Sequence, residues 1–264
     1  MSETIEATID GGVAHLRLNR PDAGNAIDLQ LAKDLNEITT AWAVDKGIRA
    51  VLITGAGKNF CVGGDLNSFR AVGDAVPAHL TDITTYLHAA NSRLIRMAAP
   101  VIAAVQGSAA GAGMSLAVSS DLVLAAESSR FVMAYTAIGL TPDGSGTWSL
   151  PRVVGMRRAL ELVLTNRKLT AAEAVDEGIA TRVVPDDQLV GEALALAQQL
   201  AAGPTGAFGA AKRLLWESVG HDLEAQLALE TQSLAAAAGS ADGREGIAAF
   251  LEKRPAQFRG EERW

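Results

Sequence analysis

The 264-residue sequence has little cysteine, no excess of positive charge, no long apolar run and few aromatic side chains. A single cysteine, Cys61, excludes an internal disulfide framework and fits a reducing compartment such as the cytoplasm. The formal net charge of −7 argues against nucleic acid as a partner, because phosphate binding requires a basic face. No apolar run approaches the roughly 18 residues of a membrane span, so we expect no membrane partner. The acidic, polar first residues do not resemble a secretory signal peptide.

Apolar and small residues, by contrast, are plentiful: 48% of the chain is apolar, and 26 residues are glycine. Apolar strands at 50–54 and 101–105, each followed by a glycine-rich stretch, alternate with helices at 28–44 and 80–98. This order predicts an α/β fold with crossover connections. The other predicted elements are a hairpin over 4–18, strands at 121–125, 130–133 and 181–184, a helix from 113, and helices at 157–164 and 171–177.

The pattern changes after Pro204. Residues 206–219, 222–237 and 243–254 are predicted to be helical, with no strand between them. An all-helical tail on an α/β core indicates an appended subdomain of a kind often used for assembly. We therefore divide the chain into a core, residues 1–203, and a helical C-terminal subdomain, residues 204–264.

Two glycine-rich segments follow buried strands and hold the best candidates for chemistry, one at 60–66 and one at 107–114. Small residues let a backbone approach a ligand closely, and amides at the start of a helix are unpaired. Two such amides aimed at one point form an oxyanion hole. Two packing turns would require the same small residues, so the segments alone leave both interpretations open.

Four separated segments of the chain resemble the crotonase, or enoyl-CoA hydratase/isomerase, superfamily, in the right order and over nearly the whole length. Phe60 to Leu66 resembles the family's F-x-x-G-x-D-[LI] segment, and the stretch from Val105 to Asp121 resembles its A-x-N-G-x-A-x-G-G-G segment with the following helix. The other two are similar to the family's L-N-R-P…N-A-[LM] and F-x-E-K-R signatures: Asn19-Arg20-Pro21 with Asn25-Ala26-Ile27, and Phe250-Leu251-Glu252-Lys253-Arg254.

This resemblance implies a spiral of repeated ββα units with a helical C-terminal region that forms homotrimers or dimers of trimers. It implies an enzyme acting on an acyl-CoA thioester, with coenzyme A as part of the substrate and with neither a separate cofactor nor a metal. The amides of Gly64 and Ala112 correspond to the family's oxyanion hole. The remaining positions carried over as substrate-binding are Ala26, Val62, Asp65, Leu66, Gly111, Tyr135 and Lys253. Lys253 matches a lysine near the coenzyme phosphates, although a solvated helix charge is an equal interpretation.

The chain departs from the family's hydratases at their two catalytic glutamates, whose places are taken by Ser115 and Tyr135. Asp143 remains, at a position where isomerases of the superfamily carry an acidic residue. Residues 139–151 look most similar to the ring-1,2-epoxyphenylacetyl-CoA isomerases. One carboxylate can take a proton from one carbon and return it to another. Pro142-Asp143-Gly144 is also an ordinary turn sequence.

The favoured hypothesis is an acyl-CoA isomerase with Asp143 as proton shuttle. The alternatives are a hydratase-like enzyme, a hydrolase or dehalogenase with Asp143 as nucleophile, and a protein that binds acyl-CoA without catalysis. Residues 67–80 are predicted to be a loop that forms a wall of the pocket. The four histidines, at 15, 79, 88 and 221, show no metal-ligand spacing and are given no role.

Overall fold

The structure, a computed structural model, describes residues 4–260 of the chain. Within this range the backbone forms two sheets, one of six strands and one of three. The strands are β1 Ile5–Asp10, β2 Val13–Leu18, β3 Ala50–Gly55, β4 Val101–Val105, β5 Ser108–Ala110, β6 Leu122–Ala126, β7 Arg130–Val132, β8 Leu169–Thr170 and β9 Arg182–Val184.

The larger sheet has the order β1-β2-β3-β4-β6-β9. Strands β1 and β2 form an antiparallel hairpin, and every other neighbouring pair in this sheet is parallel. The smaller sheet has the order β5-β7-β8. Because the carboxyl ends of parallel strands meet at one edge, the segments that follow β3 and β4 emerge side by side.

The helices, with short 3₁₀ turns between some of them, cover both faces of the larger sheet or continue beyond it. They are α1 Leu29–Val44, α2 Leu66–Val72, α3 Val76–Arg96, α4 Ala112–Val118, α5 Gly146–Val154, α6 Met156–Thr165, α7 Ala171–Asp176, α8 Leu189–Ala201, α9 Thr205–Glu217, α10 Leu223–Gly239 and α11 Ala241–Leu251.

The central strands β3, β4 and β6 of the larger sheet are apolar on both faces because both faces are covered. In β3, Val51 and Ile53 face the main core, in which α1 and α3 pack against each other. Ala50 and Leu52 face a second core, which lies under α8. This double burial explains the uninterrupted apolar runs from which the strands were predicted.

The predicted hairpin, the buried strands and the three C-terminal helices are confirmed within one to a few residues at their ends. The prediction of a loop over residues 67–80 is wrong: this stretch holds most of α2, a 3₁₀ turn at Gly73–Ala75 and the start of α3. Pro77 lies in the first turn of α3, where proline lacks no helical hydrogen bond. Strands β5 and β8 and helices α5 and α8 were not predicted.

Residues 1–3 and 261–264, which belong to the predicted core and subdomain respectively, lie outside the described range. No helix between residues 4 and 260 is long and apolar enough to cross a membrane.

Candidate active site

The segment between β3 and α2 is an extended strip of backbone that leads to Gly64. Ile27 and Gly64 form a parallel bridge. Ile27 donates to the Gly63 carbonyl oxygen at 2.7 Å, and Asp65 donates to the Ile27 carbonyl oxygen at 2.9 Å. In such a bridge the middle residue's own N–H points away from its partner. The Gly64 amide therefore faces away from Ile27, and among the described residues it has no acceptor.

Ala112 contributes a second amide because helix α4 begins there. The preceding Gly111 has a φ of +52°, a conformation that L side chains rarely adopt. Its amide donates to the Val132 carbonyl oxygen at 3.0 Å, which fixes the direction in which the chain enters α4. The first amides of a helix lack intrahelical acceptors. Within residues 4–260, the Ala112 amide has no other acceptor either.

The two segments touch backbone to backbone. A Cβ added to Gly63 would lie 3.0 Å from the Ala110 carbonyl oxygen and 3.5 Å from the Gly111 Cα, so a larger residue would push them apart. Gly64 and Ala112 each follow directly after a residue of this contact. The two free amides are therefore held close together, as an oxyanion hole requires.

Both amide-bearing residues line a cavity of about 410 Å³. The opposite wall, formed by α2, α3 and the segment before α5, is mainly apolar, and its larger members are Leu66, Phe69, Leu80, Ile83, Leu87, Ile138 and Leu140. Asp143 is the one carboxylate among the lining residues. Across residues 4–260 there is no group of three or more His, Cys, Asp or Glu side chains that could hold a metal ion.

A chain of hydrogen bonds ends on the Asp143 carboxylate. Tyr135 Oη donates to Asp143 Oδ1 at 2.6 Å, and Ser115 Oγ lies 3.2 Å from Tyr135 Oη. Since the tyrosine proton is used on Asp143, Ser115 is the donor in the second bond. Burial and the neighbouring Asp143 carboxylate raise the pKa of Tyr135, so its hydroxyl stays protonated and keeps donating. This bond holds one carboxylate oxygen and leaves the other available.

The second oxygen of Asp143 faces helix α3. His88 Nε2 lies 3.5 Å from Asp143 Oδ2, and the same nitrogen accepts a hydrogen bond from the Gly144 amide at 3.1 Å. One turn further along α3, Asn91 Nδ2 donates to the Gly144 carbonyl oxygen at 3.0 Å. Sequence reasoning gave neither side chain a role. The available signal was weak: Asn91 interrupts a stripe of buried apolar residues on α3.

Seven of the ten residues proposed from the sequence line this one cavity. They are Gly64, Ala112, Val62, Leu66, Gly111, Tyr135 and Asp143. Tyr135, proposed as a substrate-binding residue, also contacts the proposed catalytic carboxylate directly. Their convergence gives the site a pair of free amides, a carboxylate and an apolar wall.

The other three proposed residues, Ala26, Asp65 and Lys253, are not among those lining the cavity. Ala26 is buried, and its carbonyl oxygen accepts a hydrogen bond from Arg20. Asp65 caps α2 and pairs with Arg20 at 2.9 Å. Burial opposes ionisation of Asp65, but hydrogen bonds from Arg20 and the Ser68 amide outweigh it and lower the pKa of this carboxyl. Lys253 is exposed just after α11, and its contact with coenzyme phosphates stays a prediction.

Cys61, although it lies in the Gly64 segment, is expected to be chemically inert. It is fully buried, and burial raises the pKa of its thiol to about 12. We predict that the folded protein does not react with iodoacetamide at pH 8 over hours, whereas the protein in denaturant is alkylated at one site. Rapid alkylation of the folded protein, detected by intact mass, would contradict the burial of Cys61.

Comparison with known proteins identifies the family of the chain. The family model described as enoyl-CoA hydratase/isomerase matches residues 8–261. The 1,2-epoxyphenylacetyl-CoA isomerase of Escherichia coli strain K12 is 41% identical over 262 residues, which cover 98% of this chain and all of that protein. The 4-chlorobenzoyl coenzyme A dehalogenase-2 of an Arthrobacter species is 34% identical over 243 residues, covering 92% of this chain and 88% of that protein.

Among solved structures, an enoyl-CoA hydratase from Polaromonas sp. JS666 superimposes with a TM-score of 0.92 at 37% sequence identity. The match covers 97% of this chain and 99% of that one. The names of these similar proteins thus refer to three different reactions: an isomerisation, a hydration and a dehalogenation. The names of the isomerase and the dehalogenase also specify one particular acyl group on coenzyme A.

Proposed function

The chain belongs to the enoyl-CoA hydratase/isomerase family and has the crotonase fold, and we propose that it is an acyl-CoA isomerase. Its substrate is a coenzyme A thioester whose carbonyl oxygen accepts hydrogen bonds from the Gly64 and Ala112 amides. Asp143 moves a proton between two carbons of the acyl group. Coenzyme A is part of the substrate, and the proposed reaction uses no further cofactor.

The reaction needs only these groups. Asp143 removes a proton from an acyl carbon, and the electron pair of that C–H bond delocalises onto the thioester oxygen as an enolate. Two preorganised amide donors stabilise this charge as it develops. Asp143 then returns the proton to a different carbon, the electron pair flows back, and the double bond has moved. The carboxylate is regenerated and no atom is gained or lost.

One observation carries the proposal: Asp143 is the one carboxylate lining the cavity that the two free amides share. The places of the family's hydratase glutamates hold Ser115 and Tyr135, and both hydroxyls are engaged in the hydrogen-bond chain that ends on Asp143. A hydratase needs groups that deliver both a water molecule and a proton, whereas double-bond migration needs one shuttling base. Replacing Asp143 with Asn and assaying double-bond migration tests the assignment.

The lining also supports an uncharged acyl group. Apart from Asp143 and Tyr135, the cavity-lining residues are not ionisable, and the wall on α2 and α3 is largely apolar. A carboxylate on the acyl group would meet no cation among the lining residues and would share the cavity with the Asp143 carboxylate. The isomerase from Escherichia coli, whose name specifies a phenylacetyl-derived thioester, supports an apolar acyl group of this kind.

A second candidate function is a hydrolysis in which Asp143 acts as nucleophile, and the 34% identity to 4-chlorobenzoyl coenzyme A dehalogenase-2 favours it. Asp143 would displace a leaving group such as halide from the acyl group and form an ester, which water then cleaves. Mass spectrometry of the enzyme during turnover separates the two functions, because an adduct on Asp143 occurs only in the hydrolase.

We further propose that the enzyme is a cytoplasmic homotrimer or dimer of trimers, assembled through residues 204–264. Helix α10 supports this strongly, because none of its 17 residues is buried. Leu223, Leu227 and Leu234 on this helix are each at least half exposed, and so is Phe250 on α11. Single exposed apolar residues are normal on a monomer, whereas several large ones on adjacent helices indicate an interaction surface. In the assembly, Lys253 would contact the coenzyme phosphates of the same or a neighbouring chain.

The assembly is testable by sedimentation equilibrium. The wild-type protein is expected at three or six times the monomer mass. The double variant Leu227→Glu, Leu234→Glu, which places charges in the apolar face of α10, is expected to shift most of the protein to monomer. Gln232→Glu, on the side of the same helix opposite these leucines, is the matched control and should keep the assembly. A monomeric wild-type protein at micromolar concentration would exclude it.

A further inference from the structure

Both backbone groups of Gly144, the residue after Asp143, are held by side chains of α3. Its N–H donates to His88 Nε2 at 3.1 Å, and its carbonyl oxygen accepts from Asn91 Nδ2 at 3.0 Å. The two bonds fix the peptide plane on each side of Gly144. Gly144 itself is buried with a φ of +60°, and a Cβ there would lie 3.2 Å from Ser115 Cβ and 3.3 Å from Asn91 Nδ2.

The bond from the Gly144 amide defines the chemical state of His88. A ring nitrogen that accepts a hydrogen bond carries no proton. Nε2 is therefore unprotonated, and the ring holds its proton on Nδ1. Nε2 therefore has no proton to give to Asp143, although the two groups are 3.5 Å apart. In this arrangement His88 acts on the loop backbone as an acceptor and leaves the carboxylate oxygen Oδ2 without a donor from His88.

The Asn91 side chain makes its hydrogen bond to Gly144 through its amide nitrogen, and its amide oxygen makes none among the described residues. The residue is 2% exposed, and its Oδ1 is buried without a partner among the described residues. Rotating the amide by 180° would turn Oδ1 toward the Gly144 carbonyl oxygen and repel it, so the orientation is fixed by this bond. A buried unpaired oxygen is unfavourable, and an apolar side chain would avoid it. The cost is consistent with a role at the site.

Helix α3 is a firm support for these two residues. It is 21 residues long, and Leu87, Ala90 and Leu94, which flank His88 and Asn91 on the buried side, lie in the main core. The third tie on the loop is the Gly146 amide, which donates to the Asp143 carbonyl oxygen at 2.9 Å. Asp143 is thus held at two points. The Tyr135 hydroxyl binds its Oδ1, and side chains of α3 bind the backbone of the next residue, Gly144.

We propose that His88 and Asn91 are positioning residues for the isomerisation, forming a two-point clamp on Gly144 that aims Asp143 at the acyl carbons. This inference rests on the proposed function, in which Asp143 is the proton shuttle. His88 acts through its acceptor nitrogen and takes no part in proton transfer. Neither residue contacts the oxyanion hole, so the clamp governs the rate of the chemical step and leaves binding of the thioester intact.

The test compares variants that keep or remove the acceptor at position 88. His88→Gln, whose amide oxygen can take the place of Nε2, is expected to keep kcat within about threefold of the wild type. His88→Leu and Asn91→Leu are each expected to lower kcat roughly 100-fold with KM little changed, because small displacements of a catalytic group cost about this much. Thr85→Leu, exposed on the same helix, is the control. Thermal melts of all variants check that the fold persists.

If His88→Leu does not fold, His88→Asn replaces it, because its shorter side chain cannot reach the Gly144 amide and kcat should fall as for the leucine. The clamp is overturned if kcat is unchanged in Asn91→Leu and also unchanged in the position-88 variant that was used, His88→Leu or His88→Asn. Loss of activity in His88→Gln equal to that in His88→Leu also overturns it, and points to His88 as a base. Full activity of Asp143→Asn is a separate outcome, which removes the proposed function itself.

Discussion

Replacing Asp143 with Asn is expected to lower kcat for double-bond migration by about 10³-fold, in the range that general base catalysis contributes. The amide has the shape of the carboxylate and can still accept the Tyr135 hydrogen bond through its oxygen. It cannot accept a proton from carbon. KM should change little, because the thioester is held by the Gly64 and Ala112 amides and by the apolar wall.

Two further variants make this result specific. Asp187→Asn, at an exposed position that does not line the cavity, is the matched control and should be fully active. Tyr135→Phe removes the hydroxyl that donates to Asp143 Oδ1 and accepts from Ser115. It should lower kcat by about 10- to 100-fold, since a hydrogen bond to a charged group contributes roughly 1.5–3 kcal/mol. The wild-type rate in Asp143→Asn would assign the proton transfer to another group.

Removing the Ala112 or Gly64 amide is expected to lower kcat by about 10²- to 10³-fold, the usual effect of one oxyanion-hole donor. A side-chain substitution cannot do this, because the donors are backbone groups. Ribosomal incorporation of lactic acid at position 112, or of glycolic acid at position 64, replaces the N–H by an ester oxygen and keeps the side chain. The developing charge on the thioester oxygen then loses one of its two donors.

The control for the backbone esters is glycolic acid at position 113. Gly113 also lies in the first turn of α4, but it does not line the cavity. An ester there weakens the preceding carbonyl as an acceptor just as the test esters do, so it reports the structural cost of the change. Equal losses at positions 64, 112 and 113 would show that the esters act by disturbing the backbone, and the assignment of the two donors would be wrong.

The parts of the fold predicted from the sequence are those in which large apolar residues repeat regularly. Strand β3 is apolar on both faces, so the run at 50–54 marked it. Helix α8 was missed because its buried stripe is Leu189, Ala193, Ala197 and Ala201, and alanines give a weak apolar period. Helix α5 was missed because Pro151 lies inside it, where proline normally ends a helix.

The site shows the same division between local and tertiary signals. The oxyanion residues could be proposed because their glycine-rich segments are continuous in sequence and resemble a family pattern. His88 and Asn91 could not, since their contact is with Gly144, more than fifty residues away. A histidine and an asparagine on a helix have no local pattern that distinguishes a clamp from an exposed or buried polar residue.

In the proposed mechanism, the Gly64 and Ala112 amides polarise a coenzyme A thioester carbonyl. Infrared difference spectroscopy of an enoyl-CoA labelled with ¹³C at the thioester carbonyl, bound to the Asp143→Asn protein, tests it most directly, because the substrate is bound but not consumed. We predict that the carbonyl band moves to lower wavenumber on binding, and that the shift shrinks with an ester at position 64 or 112 but not at 113. A bound thioester whose carbonyl band stays where it is in water, or a shift that all three esters leave unchanged, would contradict the account.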